Sequence, residues 1–269
     1  HWAAARREGG TLLAGVQHGG NYGSDLFVQS EDHELTVTDR YYTWGWTRSD
    51  RPSKTVPFYS SKLAGRKAIG ADNAKTGVLM PMTCASRYLC RNELFNSYRM
   101  PAYMEQAARF VGALPAEMRD VLRVRPFAPD YGWGVSARLR SRFPELKIEG
   151  WQVPFKKSLN GCRLLVCDHP STVLAEALAL DKPSVLFWDP DIHQMRETAK
   201  PLYDKLHSAG ILFYDPAEAA AAVARIYADV EKWWNAPERR DAAASFCGRL
   251  ARTAPGSVPA WARELEGLS

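Results

Sequence analysis

The chain has 269 residues, enough for one large domain or for a domain and part of another. Apolar residues make up 46% and charged residues 24%, the balance of an ordinary globular protein. A net charge of +5, with an isoelectric point near 8.9, is too mild to imply nucleic acid and suits an anionic ligand or an anionic membrane surface.

Residues 1 to 75 differ in texture from the rest. They hold one apolar run, Leu12 to Val16, then a glycine-rich turn, the aromatic stretch Tyr41-Tyr42-Thr43-Trp44-Gly45-Trp46, and a basic polar segment from Arg48 to Lys75. From residue 76 a regular alternation begins. Short apolar runs at 78–82, 121–124, 146–148, 164–167, 185–188 and 211–214 predict strands, because they are brief and flanked by Gly or Pro. Between them lie stretches of helical spacing, the clearest at 217–234, where Val223, Ile226, Val230 and Trp233/Trp234 share a face. Alternating strands and helices imply a doubly wound parallel sheet, an α/β fold over 76–236. Residues 237–269 predict a helical tail, two helices broken at Pro255-Gly256 and Pro259.

Five cysteines, Cys84, Cys90, Cys162, Cys167 and Cys247, are odd in number and form no C-x-x-C, which predicts reduced thiols in the cytoplasm. No run of about 18 apolar residues occurs, so no bilayer span is expected. His1 is not an initiator and no signal-peptide pattern follows it. The chain therefore reads as a fragment or processed piece whose upstream half is missing.

Ligands of an open parallel sheet bind beyond the carboxyl ends of its strands. Three places qualify. In Leu164-Leu165-Val166-Cys167-Asp168-His169-Pro170-Ser171-Thr172 a strand ends, a tight turn carries Asp168 and His169, and a helix begins near Ser171. Free N–H groups there, with the Ser171 and Thr172 hydroxyls, can seat a phosphate, and Glu176 one turn on can reach a ribose or sugar hydroxyl. The plain alternative is an N-cap and a solvated glutamate. In Val124-Arg125-Pro126-Phe127 a strand delivers Arg125 to fork onto a phosphate or carboxylate, against the alternative of a surface salt bridge. In Val16-Gln17-His18-Gly19-Gly20-Asn21-Tyr22-Gly23 three glycines in five residues allow close backbone approach, and His18 is placed for proton transfer or for donation to an anion. A buried structural histidine is the alternative.

Asp189, Asp191 and His193 read as a polar turn capping the next helix. The nine tryptophans read mostly as core. No H-E-x-x-H, paired C-x-x-C, G-x-S-x-G, Walker A or G-x-G-x-x-G occurs, so no dedicated metal site and no P-loop or NAD site is expected.

Together these segments resemble a known family. Asp168-His169-Pro170-Ser171-Thr172 through Glu176-Ala177-Leu178 to Lys182-Pro183 looks like the donor-binding signature of GT-B glycosyltransferases. Gln17-His18-Gly19-Gly20 and Asp39 to Gly45 are similar to segments of capsule and O-antigen enzymes, Kdo transferases and their glycerophosphotransferase relatives. The resemblance covers roughly residues 12–234. It implies two Rossmann-like domains facing across a cleft, with the donor held by the C-terminal one; residues 1–75 are then the end of the N-terminal, acceptor-side domain and the linker, most of that domain being absent.

His18 and Asp168 are then the expected catalytic groups, and Gly19, Gly20, Arg125, His169, Ser171, Thr172 and Glu176 the expected donor-binding ones. Arg125-Pro126-Phe127 departs from the Arg/Lys-x-His-Pro-like element of relatives, which removes a histidine role there. The implied activity is metal-independent sugar transfer, with no cofactor, from a nucleotide-activated donor. CMP-Kdo is the donor singled out, and the acceptor is a glycan or lipid-linked glycan at the inner membrane face. A CDP-glycerol or CDP-ribitol phosphotransferase and a non-catalytic nucleotide-sugar module remain as alternatives.

Overall fold

The computed structural model describes residues 1–88 and 95–268, so Cys90 lies outside the described residues. It is an α/β protein with two parallel sheets. After α1 (Trp2–Glu8), a small sheet forms from β1 (Ala14–Val16), β2 (Arg40–Thr43) and β3 (Thr55–Pro57), with α2 (Gln29–Val37) crossing between the first two. The larger sheet contains β4 (Val78–Pro81), β5 (Leu122–Arg125), β6 (Lys147–Ile148), β7 (Leu164–Cys167), β8 (Ser184–Phe187) and β9 (Leu212–Phe213). Its order is β6-β5-β4-β7-β8-β9, all parallel. Helices α3 (Met100–Ala113), α4 (Ala116–Val121), α5 (Val135–Arg142), α6 (Phe155–Gly161), α7 (Thr172–Ala179), α8 (Lys200–Ser208), α9 (Pro216–Ile226) and α10 (Val230–Trp234) accompany it. The tail is α11 (Pro237–Leu250) and α12 (Ser257–Glu266).

Strand alternation divides the large sheet into two cores. Val78, Met80, Val124, Val166, Val185 and Phe187 point to one face, where Tyr103, Phe110, Leu139 and Val223 cover them. Leu79, Leu165, Cys167 and Leu186 point to the other, against Leu174, Leu178, Leu206 and Phe246. A strand buried on both sides reads as an unbroken apolar run, which is why these strands fall within a residue or two of the predicted runs. The predicted helix over 217–234 is interrupted by a 3-10 turn at Tyr227–Asp229, where the Asp229 carboxylate accepts from Lys232 N at 3.1 Å and starts α10. Pro259 does not break the tail. It lies in the first turn of α12, where its missing N–H costs nothing.

Of the small sheet only β1, the end of the apolar run Leu12 to Val16, was legible as a strand. Its β2 is the aromatic stretch, with Tyr41 and Tyr42 both fully buried. The tail returns to it: Trp261 packs edge-on against Tyr42 and Phe58, at 5.1 and 4.7 Å between ring centres, and Tyr42 Oη donates to Glu264 at 2.7 Å. Gly45, at φ +117°, lets the chain pass so close to Gly248 that a Cβ would stand 2.6 Å from its carbonyl oxygen.

Candidate functional site

Strand order reverses between β4 and β7, and at such a switch point the connections leave in opposite directions and open a crevice beyond the carboxyl ends. A cavity of about 310 Å³ lies there. Pro81, Met82 and Thr83 enter it after β4, Arg125 and Phe127 after β5, and His169, Ser171, Thr172, Val173 and Glu176 after β7; Trp151 and Phe155 close one side and Lys62 another.

At the end of β7, Asp168 is 2% exposed and both its oxygens are engaged. Oδ2 accepts from Tyr103 Oη at 2.7 Å, and Oδ1 lies 2.6 Å from His169 Nδ1. Burial, then the charge of Asp168, push the Tyr103 hydroxyl well above its ordinary range, so it stays a donor. With Nδ1 committed to the carboxylate, Nε2 is the His169 atom left for a ligand. Asp168 thus reaches the cavity through His169.

Ser171 is the N-cap of α7, its Oγ accepting from Val173 N at 3.3 Å. Thr172 Oγ1 accepts from Gly20 N at 2.9 Å, which leaves its own hydrogen to donate. Both side chains line the cavity as well, so capping and ligand contact share the same residues.

Arg125 lines the cavity but is 5% exposed, and its Nη1 donates to Glu149 at 2.7 Å and to Val153 O at 2.8 Å. Trp151 and Phe155 lie over its guanidinium, with ring centres 5.1 and 5.8 Å from Cζ. This is a buried pair rather than the surface salt bridge weighed as the alternative. Glu176 is likewise no solvated helix residue. It is 6% exposed and paired with Arg66, while Lys62 Nζ stands 3.6 Å from its other oxygen.

The glycine-rich loop after β1 meets this edge directly. A Cβ on Gly20 would stand 2.6 Å from Thr172 Cα and 2.7 Å from Ser171 O, so only glycine permits the approach. Gln17, fully buried, fixes the loop. Its amide nitrogen donates to Gly19 O at 2.6 Å, and its amide oxygen accepts from Trp44 N at 2.7 Å and Trp46 Nε1 at 2.8 Å.

The His18 side chain is 68% exposed, which sets aside the buried structural reading. Its Nε2 lies 3.0 Å from Glu34 Oε1 and 2.8 Å from Tyr22 Oη. Tyr22 and Tyr41 donate to the two Glu34 oxygens, at 2.9 and 2.6 Å, and burial raises both hydroxyls out of the titrating range. The carboxylate is thus held in place, and Nδ1 is the His18 atom left outside this network; His18 itself is not among the residues lining the cavity.

The sequence reading missed Lys62, Arg66, Tyr103, Trp151, Glu31 and Glu34. The first two lay in a segment read only as basic and polar. Glu31 is fully buried, accepting from Arg48 at 2.8 Å, Arg196 at 2.6 Å and Gly23 N at 2.7 Å. Asp189 does form a polar turn, its Oδ1 accepting from Asp191 N at 2.8 Å, but α8 begins further on, at Lys200. His193 is buried instead, and that burial, with the neighbouring His169 and Arg99, depresses its imidazole to about 3. Among the described residues no group of three or more His, Cys, Asp or Glu side chains could hold a metal ion, and no helix is long and apolar enough to cross a membrane.

Comparison with known proteins gives the family. The model of the LIC12162 family transferases matches residues 1–265. No curated protein matches. Among solved structures, the chain is similar to the spinosyn rhamnosyltransferase SpnG with spinosyn aglycone, at 20% identity and a TM-score of 0.42 over 85% of this chain. It is also similar to the glycosyltransferase SnogD from Streptomyces nogalater, at 12% identity and 0.40 over 88%, and to the wall teichoic acid polymerase TagF, at 9% and 0.41 over 96%. It spans 57%, 60% and 65% of the length of those three chains. With the family pattern running from α1 to the end of the tail, the chain belongs to the LIC12162 family of transferases.

Proposed function

We propose that the chain is a GT-B glycosyltransferase that takes a sugar from a nucleotide-activated donor, CMP-linked Kdo in the form that the sequence resemblance favours, in the assembly of a bacterial surface polysaccharide. One observation carries the reading: the cavity at the β4/β7 switch joins an aromatic wall, Phe127 and Trp151, to the hydroxyls and amides that begin α7. The rings suit a base, and the helix start suits a phosphate.

In the transfer, an acceptor hydroxyl oxygen bonds to the anomeric carbon as that carbon's bond to the nucleotide phosphate breaks. Charge grows on the departing phosphate, where the Ser171 and Thr172 hydroxyls stabilise it and His169 Nε2 donates to it in the imidazolium form that Asp168 supports. The acceptor's proton passes to His18 Nδ1, whose ring is oriented by Glu34. Asp168, with Tyr103, orients His169. Gly19 and Gly20 let the acceptor-side loop close on the donor, and Arg125 holds the aromatic wall. No metal is needed for this scheme. The acceptor in this reading is a glycan or lipid-linked glycan, and a net charge of +5 suits work in the cytoplasm at the inner membrane face.

A thermal-shift screen of CMP, CDP, UDP, GDP and their sugar conjugates tests the reading, because a ligand that binds only the folded state raises Tm. CMP and a CMP-sugar are expected to give the largest shifts. A shift confined to CDP, with transfer of glycerol phosphate or ribitol phosphate, would replace sugar transfer by phosphotransfer in the same site. Binding without turnover, even with an acceptor-side domain supplied, would reduce the chain to a nucleotide-sugar module. No shift with any nucleotide would overturn the reading.

A further inference from the structure

We infer that Lys62 is the cation that grips the donor's phosphate, which goes beyond the assigned donor site and rests on the reading of this cavity as a nucleotide seat. The argument is one of charge. Among the described residues lining the cavity, Arg125 is held by Glu149 at 2.7 Å and is 5% exposed; Arg123, 3.8 Å from the other Glu149 oxygen, does not line the cavity. Glu176 faces two cations. Arg66 is bound to Oε1, while Lys62 stands at 3.6 Å from Oε2, a loose distance for an ion pair. One carboxylate cannot neutralise both, so one positive charge is left over, and Lys62 carries it into the cavity. The Arg66 guanidinium, 20% exposed, is the fixed partner; the Lys62 side chain, 43% exposed, is the free one.

The base of Lys62 is rigid even though its tip is not. It sits on the 3-10 turn Ser61–Leu63, with Leu63 1% exposed beneath it. Ser60 N donates to Arg252 O at 2.7 Å, tying the turn to the end of α11. An anion among Lys62, Ser171 and Thr172 would meet an ammonium and two hydroxyls, a combination that selects phosphate over a neutral group. Lys62 also lies on the segment joining the two sheets, so a bound phosphate would tie that segment to α7.

Calorimetric titration of CMP, UMP and GMP, each beside its own nucleoside, tests the assignment. Lys62→Gln is expected to weaken the best-binding nucleotide about tenfold or more, the scale of one charge-assisted hydrogen bond, and to leave the nucleoside's affinity and the ligand-free Tm unchanged. Its affinity should also fall less steeply with salt, and Lys62→Arg should retain most of the binding. Arg125→Lys serves as the second variant and is expected to lower Tm.

If wild-type protein binds a nucleotide and Lys62→Gln binds it equally well, the inference fails and the nucleotide reading stands. An Arg125→Lys variant that loses phosphate-dependent affinity at unchanged Tm would move the phosphate to Arg125 and overturn it too. If no nucleotide binds the wild type, both fall.

Discussion

The two sheets meet where Gly20, after β1, touches the start of α7, but they are held by different forces. The six-stranded sheet is an apolar sandwich: its central strands β4, β7 and β8 are buried along their whole length, and neighbouring residues alternate between two hydrophobic cores. Around the three-stranded sheet the aromatic core, with Tyr41, Trp44 and Trp46, is threaded by buried polar groups. Glu31 gathers two arginines and a backbone amide, Glu34 gathers two tyrosines and His18, and Gln17 clamps two tryptophans. Apolar packing is forgiving of direction. Charge-assisted networks are not, and they hold a loop in one geometry, which is what a site needs from its mobile-looking, glycine-rich side.

The comparison breaks most visibly at Glu31. Removing one partner of a buried ionic network leaves the others uncompensated, so Glu31→Ala is expected to cost about 3 kcal/mol or more in denaturant unfolding, as much as truncating a core leucine such as Leu165. A loss under about 1 kcal/mol would mean that the small sheet does not depend on its buried polar groups.

His18→Ala should divide the two regions by function. The ring is mostly exposed, so Tm should barely move, while turnover falls about 10²-fold, the scale of a positioned acid–base group. A fall in Tm with specific activity intact would return His18 to a structural role. On the other side of the cleft, Ser171→Ala with Thr172→Ala is expected to weaken nucleotide binding by roughly 1.5–3 kcal/mol, measured by calorimetry. An unchanged dissociation constant would remove the start of α7 from the site. Treatment with chelator should leave transfer largely intact, and strict dependence on Mg²⁺ or Mn²⁺ would require another architecture.

The smallest effect expected is one of pH. Burial pushes the Asp25 carboxyl up to about 8, with Ser24 and Arg196 pulling the other way. The folded chain therefore holds a proton between about pH 4 and 8 that the unfolded chain releases, and stability falls as pH rises through that window. Buried His193 acts in the opposite sense, since the unfolded chain takes up a proton below about 6.5 that the folded one refuses until about 3. Of the two, the Asp25 slope dominates above about pH 6.5, as the His193 contribution fades. Tm measured from pH 6.5 to 8 should decline in the wild type and flatten in Asp25→Asn; a parallel decline in both would discard the assignment.

What the sequence disclosed follows the same division. The strands of the large sheet were readable because burial on both faces writes continuous apolar runs, as at Leu164–Cys167, and the start of α7 was readable because Ser171 is an N-cap before an apolar helix. The partners of that site were not. Lys62 and Arg66 reach Glu176 across more than a hundred residues, and nothing local marks them apart from other basic residues. Glu31 and Glu34 went unread, because their engagement is decided by Arg48, Arg196, Tyr22 and Tyr41 rather than by any local pattern. Gly20 was legible as permissive, but its contact with Thr172 is a fact of three dimensions.

The central claim is that a nucleotide sits in the cavity where β4 and β7 diverge, and hydrogen–deuterium exchange with and without the best-binding nucleotide tests it most directly. The account predicts that saturating nucleotide slows exchange over residues 169–176 and over 60–66, with little change in β9 or α12. Protection elsewhere with none at 169–176 would contradict it.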